Sequence, residues 1–266
     1  MTGELTVSRL TKRFSVNQGW RRKSELTVFE ALSLSVRAGE FVSVIGPSGC
    51  GKSTLLGIAA GLEQPTTGEV AVDGKPVRGP GLDRGVVFQE FALFPWLTVL
   101  DNVAFGLKSM GIPTEERRKR ASRYVDLVGL SAFAGYYPNR LSGGMRQRVG
   151  LGRALAIEPA VLLMDEPFGA LDALTRENMQ NALGEIWQET HKTVLFITHD
   201  IEEAVFLSDR VLVLNGRPSR LVLELPVSLP RPRNRHAAEF QDHVGRLDRA
   251  IRGEYQTRIT HGEVTT

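Results

Sequence analysis

The chain opens with two stretches in which apolar and polar residues alternate, "ELTVSRLTKRF" and "LTVFEALSLSVRAGE". A period of two fits strands that bury one face. A third stretch, "GEVAVDGKPV", carries an Asp-Gly pair suited to a tight hairpin turn. Together they predict an antiparallel sheet. The polar, basic "SVNQGWRRKSE" between the first two reads as a solvated hairpin tip that includes Trp20. Further along, the pattern changes. "FVSVIG", "GVVFQ", "AVLLMDE", "TVLFITH" and "RVLVLNG" are short, nearly continuous apolar runs. Runs without alternation suit strands covered on both faces, as in a parallel sheet. Helical stretches separate most of them: "KSTLLGIAAGL", "TRENMQNALGEIWQETH" and "IEEAVFLSD". Strand and helix alternate, which predicts an α/β core with a covered parallel sheet.

Residues 91–157 interrupt that alternation. "TVLDNVAFGLKSMG" opens with Thr98 and Asp101 at capping-box-like spacing. "PTEERRKRASRYVDLVGL" opens with Pro113 and acidic residues and meets a stop at Gly129. This segment predicts a helical lobe inserted between core strands. After Gly216 the pattern becomes irregular. "LELPVSLPRPRNRH" is rich in proline and arginine and reads as an extended tail, followed by one helix within "AAEFQDHVGRLDRAIRGEYQTR".

A length of 266 residues accommodates one large α/β domain, or two lobes of one domain. A hydrophobic fraction of 42% and a charged fraction of 24% are ordinary for a globular protein. The net charge of +3 is too small to argue for nucleic acid. The single cysteine, Cys50, excludes an internal disulfide and fits a reducing compartment. No apolar run approaches the ~20 residues of a membrane span. The N-terminal "MTGELTVSRL" lacks a signal-peptide core, so a soluble, untargeted chain is expected.

"GPSGCGKST", residues 46–54, lies after an apolar strand and before a helix and fits G-x-x-x-x-G-K-S/T. Gly46, Pro47, Ser48, Gly49, Cys50 and Gly51 form a loop whose backbone N–H groups converge on phosphate oxygens, aided by the helix N-terminus. Lys52 is placed for β- and γ-phosphates, Ser53 for Mg²⁺, and Thr54 continues the loop. Cys50 within it reads as a space-filling residue. The strand "AVLLMDEP" ends in Asp165 and Glu166. Asp165 suits the acidic partner of a nucleotide-bound metal ion, and Glu166 suits a base for the attacking water. Gln89 and His199 end two other apolar strands, where ligands of parallel sheets sit. Gln89 there suits magnesium or water, and His199 suits the γ-phosphate. "LSGGMRQR", from Leu141, sets a serine and two glycines before an arginine-studded helix, a second anion grip.

In this order the motifs resemble those of the ATP-binding subunits of ATP-binding-cassette transporters. "GPSGCGKST" resembles Walker A, "VVFQ" the Q-loop, "LSGGMRQR" the signature, "VLLMDEP" Walker B, "ALD" the D-loop and "ITHD" the H-loop, over roughly residues 4–230. The resemblance implies a P-loop NTPase (RecA-like) parallel-sheet core with an N-terminal antiparallel β subdomain and an inserted α-helical subdomain. The nucleotide-binding domain would span 4–229 and a C-terminal tail 230–266. It implies ATP and Mg²⁺, with Ser53, Gln89 and Asp165 at the metal and Glu166, His199 and Gln89 in hydrolysis. Phe14 falls where the family stacks an aromatic ring on adenine; a sheet-core role fits that position equally. The resemblance further implies a head-to-tail homodimer with ATP sandwiched between subunits. Leu141, Ser142, Gly143, Gly144 and Gln147 of one copy would cap the nucleotide of the other, and Asp172 would link the two sites. The residues alone leave open both grips closing on one site within one chain.

The resemblance also implies a separate transmembrane permease, a periplasmic or lipoprotein solute-binding protein, no nucleic acid, and a peripheral place on the cytoplasmic face of the cell membrane. "GPGLDRGVVFQEFALFPWLTVLDNVAFGL", "DEPFGALDALTRENMQ", "WQETHKTVLFITHDIEEAVFLSDRV" and "LPRPRNR" are similar to the nitrate, sulfonate and taurine importers. A cassette for another solute, a soluble P-loop kinase and a cassette acting on DNA or ribosomes are the rival readings. "LSGG" argues against the kinase. The absence of a coiled-coil insertion or second cassette argues against the last. Phe91, Phe94 and Trp96 read either as lobe core or as a groove for a permease helix.

Overall fold

The computed structural model describes residues 3–17 and 23–253. Of the expected hairpin tip, residues 18–22, Trp20 among them, lie outside the described residues. Strands β1 (Leu5–Asn17) and β2 (Lys23–Val36) pair antiparallel and share a sheet with β4 (Thr67–Val72) and β5 (Lys75–Pro76), in the order β2-β1-β4-β5. The pairing of β1 with β2 slips between Val7 and Leu10 and again before Lys12. Arg9 and Ala31, at φ 44° and 52°, sit at those slips, as bulges require. Asp73 and Gly74 take φ 49° and 73° and join paired Val72 and Lys75, the left-handed two-residue turn their types favour.

The second sheet runs β10-β9-β3-β8-β7-β6. Strands β3 (Phe41–Ile45), β6 (Arg84–Val87), β7 (Val161–Asp165), β8 (Thr193–Ile197) and β9 (Arg210–Asn215) are parallel. Their unbroken apolar runs have a direct cause. Within β8, Val194 and Phe196 pack toward the helical lobe, and Leu195 and Ile197 pack toward the antiparallel sheet. Leu162 and Met164 of β7 divide from Val161 and Leu163 in the same way. Both faces are covered, so alternation disappears.

Helix α1 (Lys52–Ala59) follows β3, α5 (Ala173–Thr190) precedes β8, and α6 (Ile201–Leu207) follows it. The inserted lobe comprises α2 (Val99–Ser109), α3 (Thr114–Leu127) and α4 (Gly143–Ala156). Thr98 caps α2, its hydroxyl accepting from Asp101 N at 3.1 Å. Beyond α3, Gly129 takes φ 69°, the left-handed stop its type favours.

The region after Gly216 departs from the expected extended tail. Arg220–Pro226 forms β10, antiparallel to β9 at the sheet edge. Its exposed edge position masks the periodicity, and Pro226 sits at its last residue, where an edge strand tolerates proline. Helix α7 (Ala238–Ile251) buries Phe240, Leu247 and Ala250 in a core shared with α6 and β9. Packing therefore runs across the division expected at residue 230. Residues from 254 on lie outside the described residues.

Candidate active site

The loop from Gly46 leaves the central strand β3 and enters α1. Gly46 is required where it stands, because a Cβ there would run into the Leu214 carbonyl. Gly49 and Gly51 take φ 77° and 95°, open to glycine at no steric cost. Gly51 is the N-cap of α1, with no side-chain cap, so the N–H groups of the first turn remain for an anion. Cys50 is buried in the core, as its space-filling reading predicts. Lys52 is 6% exposed. Its ammonium donates to the Gly46 and Pro47 carbonyls at 2.8 and 3.3 Å, so the loop wraps its own lysine.

Above the loop lies a cleft of about 360 Å³. Phe14, Leu26 and Val28 form one wall; Ser48, Gly49 and the residues 51–54 form another, with Glu166 at the end. Phe14 is half-buried on that wall, with Lys12 Nζ 4.5 Å from its ring centroid.

The acidic residues reach the same cleft from the tip of β7. The Ser53 hydroxyl donates to Asp165 Oδ1 at 3.2 Å, which joins the loop to the neighbouring strand. Burial pushes the Asp165 carboxyl above its ordinary range; Ser53 and Lys52 pull it down, and the Glu166 charge pushes it up. Glu166 has φ 42°, left-handed for a residue with a side chain. Its Oε2 lies 2.8 Å from His199 Nδ1, at the end of β8. A Cβ built on Gly169 would lie 3.4 Å from Gln89 Nε2 and 3.8 Å from Glu166 Oε2, so Gln89 borders the same point.

The loop holding His199 is braced from below. Asp200 caps α6 by accepting from Glu203 N at 3.1 Å. Glu203 is buried, which pushes its carboxyl up, and it accepts from Gln180 Nε2 at 2.8 Å. Arg235 in turn donates to Gln180 Oε1. Neither Gln180 nor Arg235 is legible as part of the site, because the contact joins α5, α6 and the tail across long sequence separations.

The second anion grip stands elsewhere. The residues lining the cleft around Lys52 include none from 141 to 147. Ser142 is the N-cap of α4, its hydroxyl accepting from Met145 N at 3.3 Å. Leu141 and Gln147 are buried, and neither polar atom of Gln147 has a partner among the described residues. Gly143 faces Leu171, and a Cβ on Gly144 would lie 2.6 Å from Thr175 Cγ2. The signature thus packs on the turn that bears Asp172. Asp172 caps α5, accepting from Thr175 N at 3.0 Å, and that bond holds its exposed carboxyl below the ordinary range.

Comparison with known proteins gives the family. Residues 29–169 match the family described as ABC transporter. An uncharacterized ABC transporter ATP-binding protein of Methanocaldococcus jannaschii is 50% identical, across 96% of this chain and 93% of its own. A nitrate import ATP-binding protein of Synechocystis sp. is 48% identical, across 87% and 91%. A taurine import ATP-binding protein of Burkholderia thailandensis is 56% identical, across 76% and 77%. A solved dimeric, post-hydrolysis ATP-binding cassette bound to ADP and Pi superposes with a TM-score of 0.72 at 35% identity, covering 85% of this chain and all of that one. By its phosphate loop, its strand-tip acids and these relatives, the chain belongs to the ABC transporter family of ATP-binding proteins.

Proposed function

We propose that this chain is the ATP-hydrolysing subunit of a bacterial importer, energising uptake of a small anion or sulfonate of the taurine, alkanesulfonate or nitrate class. The observation that carries the reading is the convergence of two polar pairs beside the Lys52 loop, Ser53 with Asp165 at 3.2 Å and Glu166 with His199 at 2.8 Å. The first-turn N–H groups of α1 and the Lys52 ammonium bind the phosphates, and Phe14 stacks on adenine. Glu166 takes a proton from the attacking water as the bond from the γ-phosphorus to the ADP oxygen breaks. His199 orients Glu166 and bonds the γ-phosphate, and Gln89 aligns the water. Ser53, Asp165 and Gln89 offer the oxygen donors that suit Mg²⁺. When bound, that ion neutralises charge on the β- and γ-phosphates.

Two copies complete each site. The separation of the signature from the Lys52 cleft supports capping by Ser142, Gly143 and Gly144 of a second copy. The ionised, exposed Asp172 carboxylate suits contact between the two sites. Solute specificity rests with partners, a separate permease and a solute-binding protein; kinship with the taurine and nitrate import proteins indicates the solute class. Among the described residues no helix is long and apolar enough to cross a membrane. Kinship with the taurine and nitrate import proteins supports a peripheral place at the cytoplasmic face of the membrane, held there by the permease.

An exposed aromatic patch suits that contact. Trp96 is 70% exposed and Phe105 40%. Phe94 lies between them, 5.6 and 4.3 Å away by ring centroids. Buried Asn102 fixes the loop, accepting from Phe94 N at 2.9 Å and donating to the Leu97 carbonyl at 3.0 Å. Arg153 donates to the Ala92 carbonyl at 2.6 Å, tying α4 to the same loop. A rigid apolar patch beside Gln89 would take a short permease helix.

The test is uptake of labelled taurine, an alkanesulfonate and nitrate by a deletion strain. Wild-type protein is expected to restore uptake of one of them, and Glu166→Gln is not. Full uptake of all three in the deletion strain would contradict the solute class, and restoration by Glu166→Gln would contradict its role as base.

A further inference from the structure

The turn joining β9 to β10 stands against the back of the phosphate loop. Ser219, at 1% exposure, donates its hydroxyl to the Cys50 carbonyl at 2.6 Å. The Gly216 carbonyl is the alternative acceptor at 3.2 Å, and the single hydroxyl proton favours the shorter contact. The turn is itself fixed on two sides. Ser219 N donates to the Val28 carbonyl at 2.7 Å. Asn215 Nδ2 donates to the Ile251 carbonyl at 2.8 Å, at the end of α7. Leu214 presses its carbonyl against Gly46, and a Cβ on Gly49 would lie 3.0 Å from Arg217 Nη2.

We infer that Ser219 is a positioning residue for phosphate binding, acting through the Cys50–Gly51 peptide. In a planar trans peptide the C=O and the following N–H point in opposite directions. Pinning the Cys50 carbonyl outward on Ser219 turns the Gly51 N–H inward, to the cleft side of the loop. Gly51 is also the N-cap of α1, so the same peptide sets where the N–H groups of the first turn begin. Gly51 cannot acquire stiffness from a side chain, because a Cβ there would collide with Val28 and Phe29. The Ser219 hydroxyl supplies from outside the rigidity that the glycine lacks. The inference rests on the reading of residues 46–54 as the phosphate loop.

The test is calorimetric titration of the full chain with ADP, which carries the β-phosphate and is not consumed, together with ATPase kinetics. Ser219→Ala is expected to weaken ADP binding and raise KM for ATP roughly 5-fold, the effect of one lost hydrogen bond, with kcat changed far less. Ser219→Cys, which keeps a weak donor, is expected to fall between Ser219→Ala and wild type. Ser208→Ala removes another buried hydroxyl, bonded to Ser43, and is expected to lower Tm without moving ADP affinity. ADP affinity at the wild-type level in both Ser219 variants would overturn the inference. Lys52→Ala separates this from the parent reading. If it too leaves ADP affinity unchanged, the phosphate-loop reading fails. If it alone loses affinity, only the role of Ser219 fails.

Discussion

Asp165 and Glu166 are adjacent, yet the fold treats them differently. Asp165 continues the strand and meets Ser53, whereas Glu166 turns at φ 42° to reach His199. The Asp165 carboxyl titrates above its ordinary range, so between its unfolded and folded pKa the folded chain binds more protons. Stability of the unliganded chain therefore falls as pH rises through that window. Asp165→Asn is expected to raise Tm at neutral pH, with the gap closing below the ordinary carboxylate range, and to cut ATPase activity by roughly 10²-fold or more. Scanning calorimetry across pH and phosphate release check both; a lower Tm in the variant at neutral pH would contradict the sign. These residues were legible because each is a polar residue at the end of an apolar run. The left-handed turn at Glu166 was not, since nothing in a glutamate announces positive φ. Nor was Ser219, whose partner stands 169 residues away.

At the scale of elements, the strands of the parallel sheet read clearly because double-sided burial leaves unbroken apolar runs. The edge strand β10 and the following "LPRPRNR" did not. Proline and arginine there suggest an extended tail, but Arg233 is 6% exposed. It donates to the Val205 and Ser208 carbonyls, both at 2.6 Å, and to Val227 at 3.0 Å. The first two satisfy carbonyls at the end of α6, a helix of only seven residues. Arg231 adds a bond to the Leu207 carbonyl at 2.6 Å and an ion pair with Asp209 at 2.7 Å. Buried arginines that cap carbonyls cannot be told from exposed ones by type. Arg233 has its pKa pushed down to about 10, by burial first and then by neighbouring Arg231. It is protonated in folded and unfolded chains alike at neutral pH, so the clasp is insensitive to pH there. Arg233→Ala is expected to destabilise the fold by roughly 2–4 kcal/mol, because the carbonyls stay buried without their donor. Urea unfolding measures it, and an unchanged midpoint would mean that the clasp contributes nothing.

At the scale of the whole molecule, the proposed chemistry and the proposed grip on a membrane both need other chains. Phe94→Ala with Trp96→Ala is expected to weaken co-purification with the permease while leaving ATP affinity and the Tm of the isolated subunit nearly unchanged. A large fall in Tm would return these rings to the lobe core. The aromatic cluster was visible in the sequence, but its exposure was not, because aromatic density marks cores and docking patches alike. The separation of the two anion grips was likewise beyond a sequence reading, which records both and not the distance between them. The central claim is that each nucleotide is closed by Lys52 of one copy and Ser142 of another. The most direct measurement is ATP-dependent dimerisation, followed by light scattering, of Ser142→Arg and Lys52→Ala, alone and mixed. Each variant alone is expected to remain monomeric, since neither forms an intact site with itself. The mixture retains one intact site, Lys52 of the Ser142→Arg chain with Ser142 of the Lys52→Ala chain. ATP should therefore produce dimers only on mixing, and a mixture that stays monomeric with ATP would contradict the account.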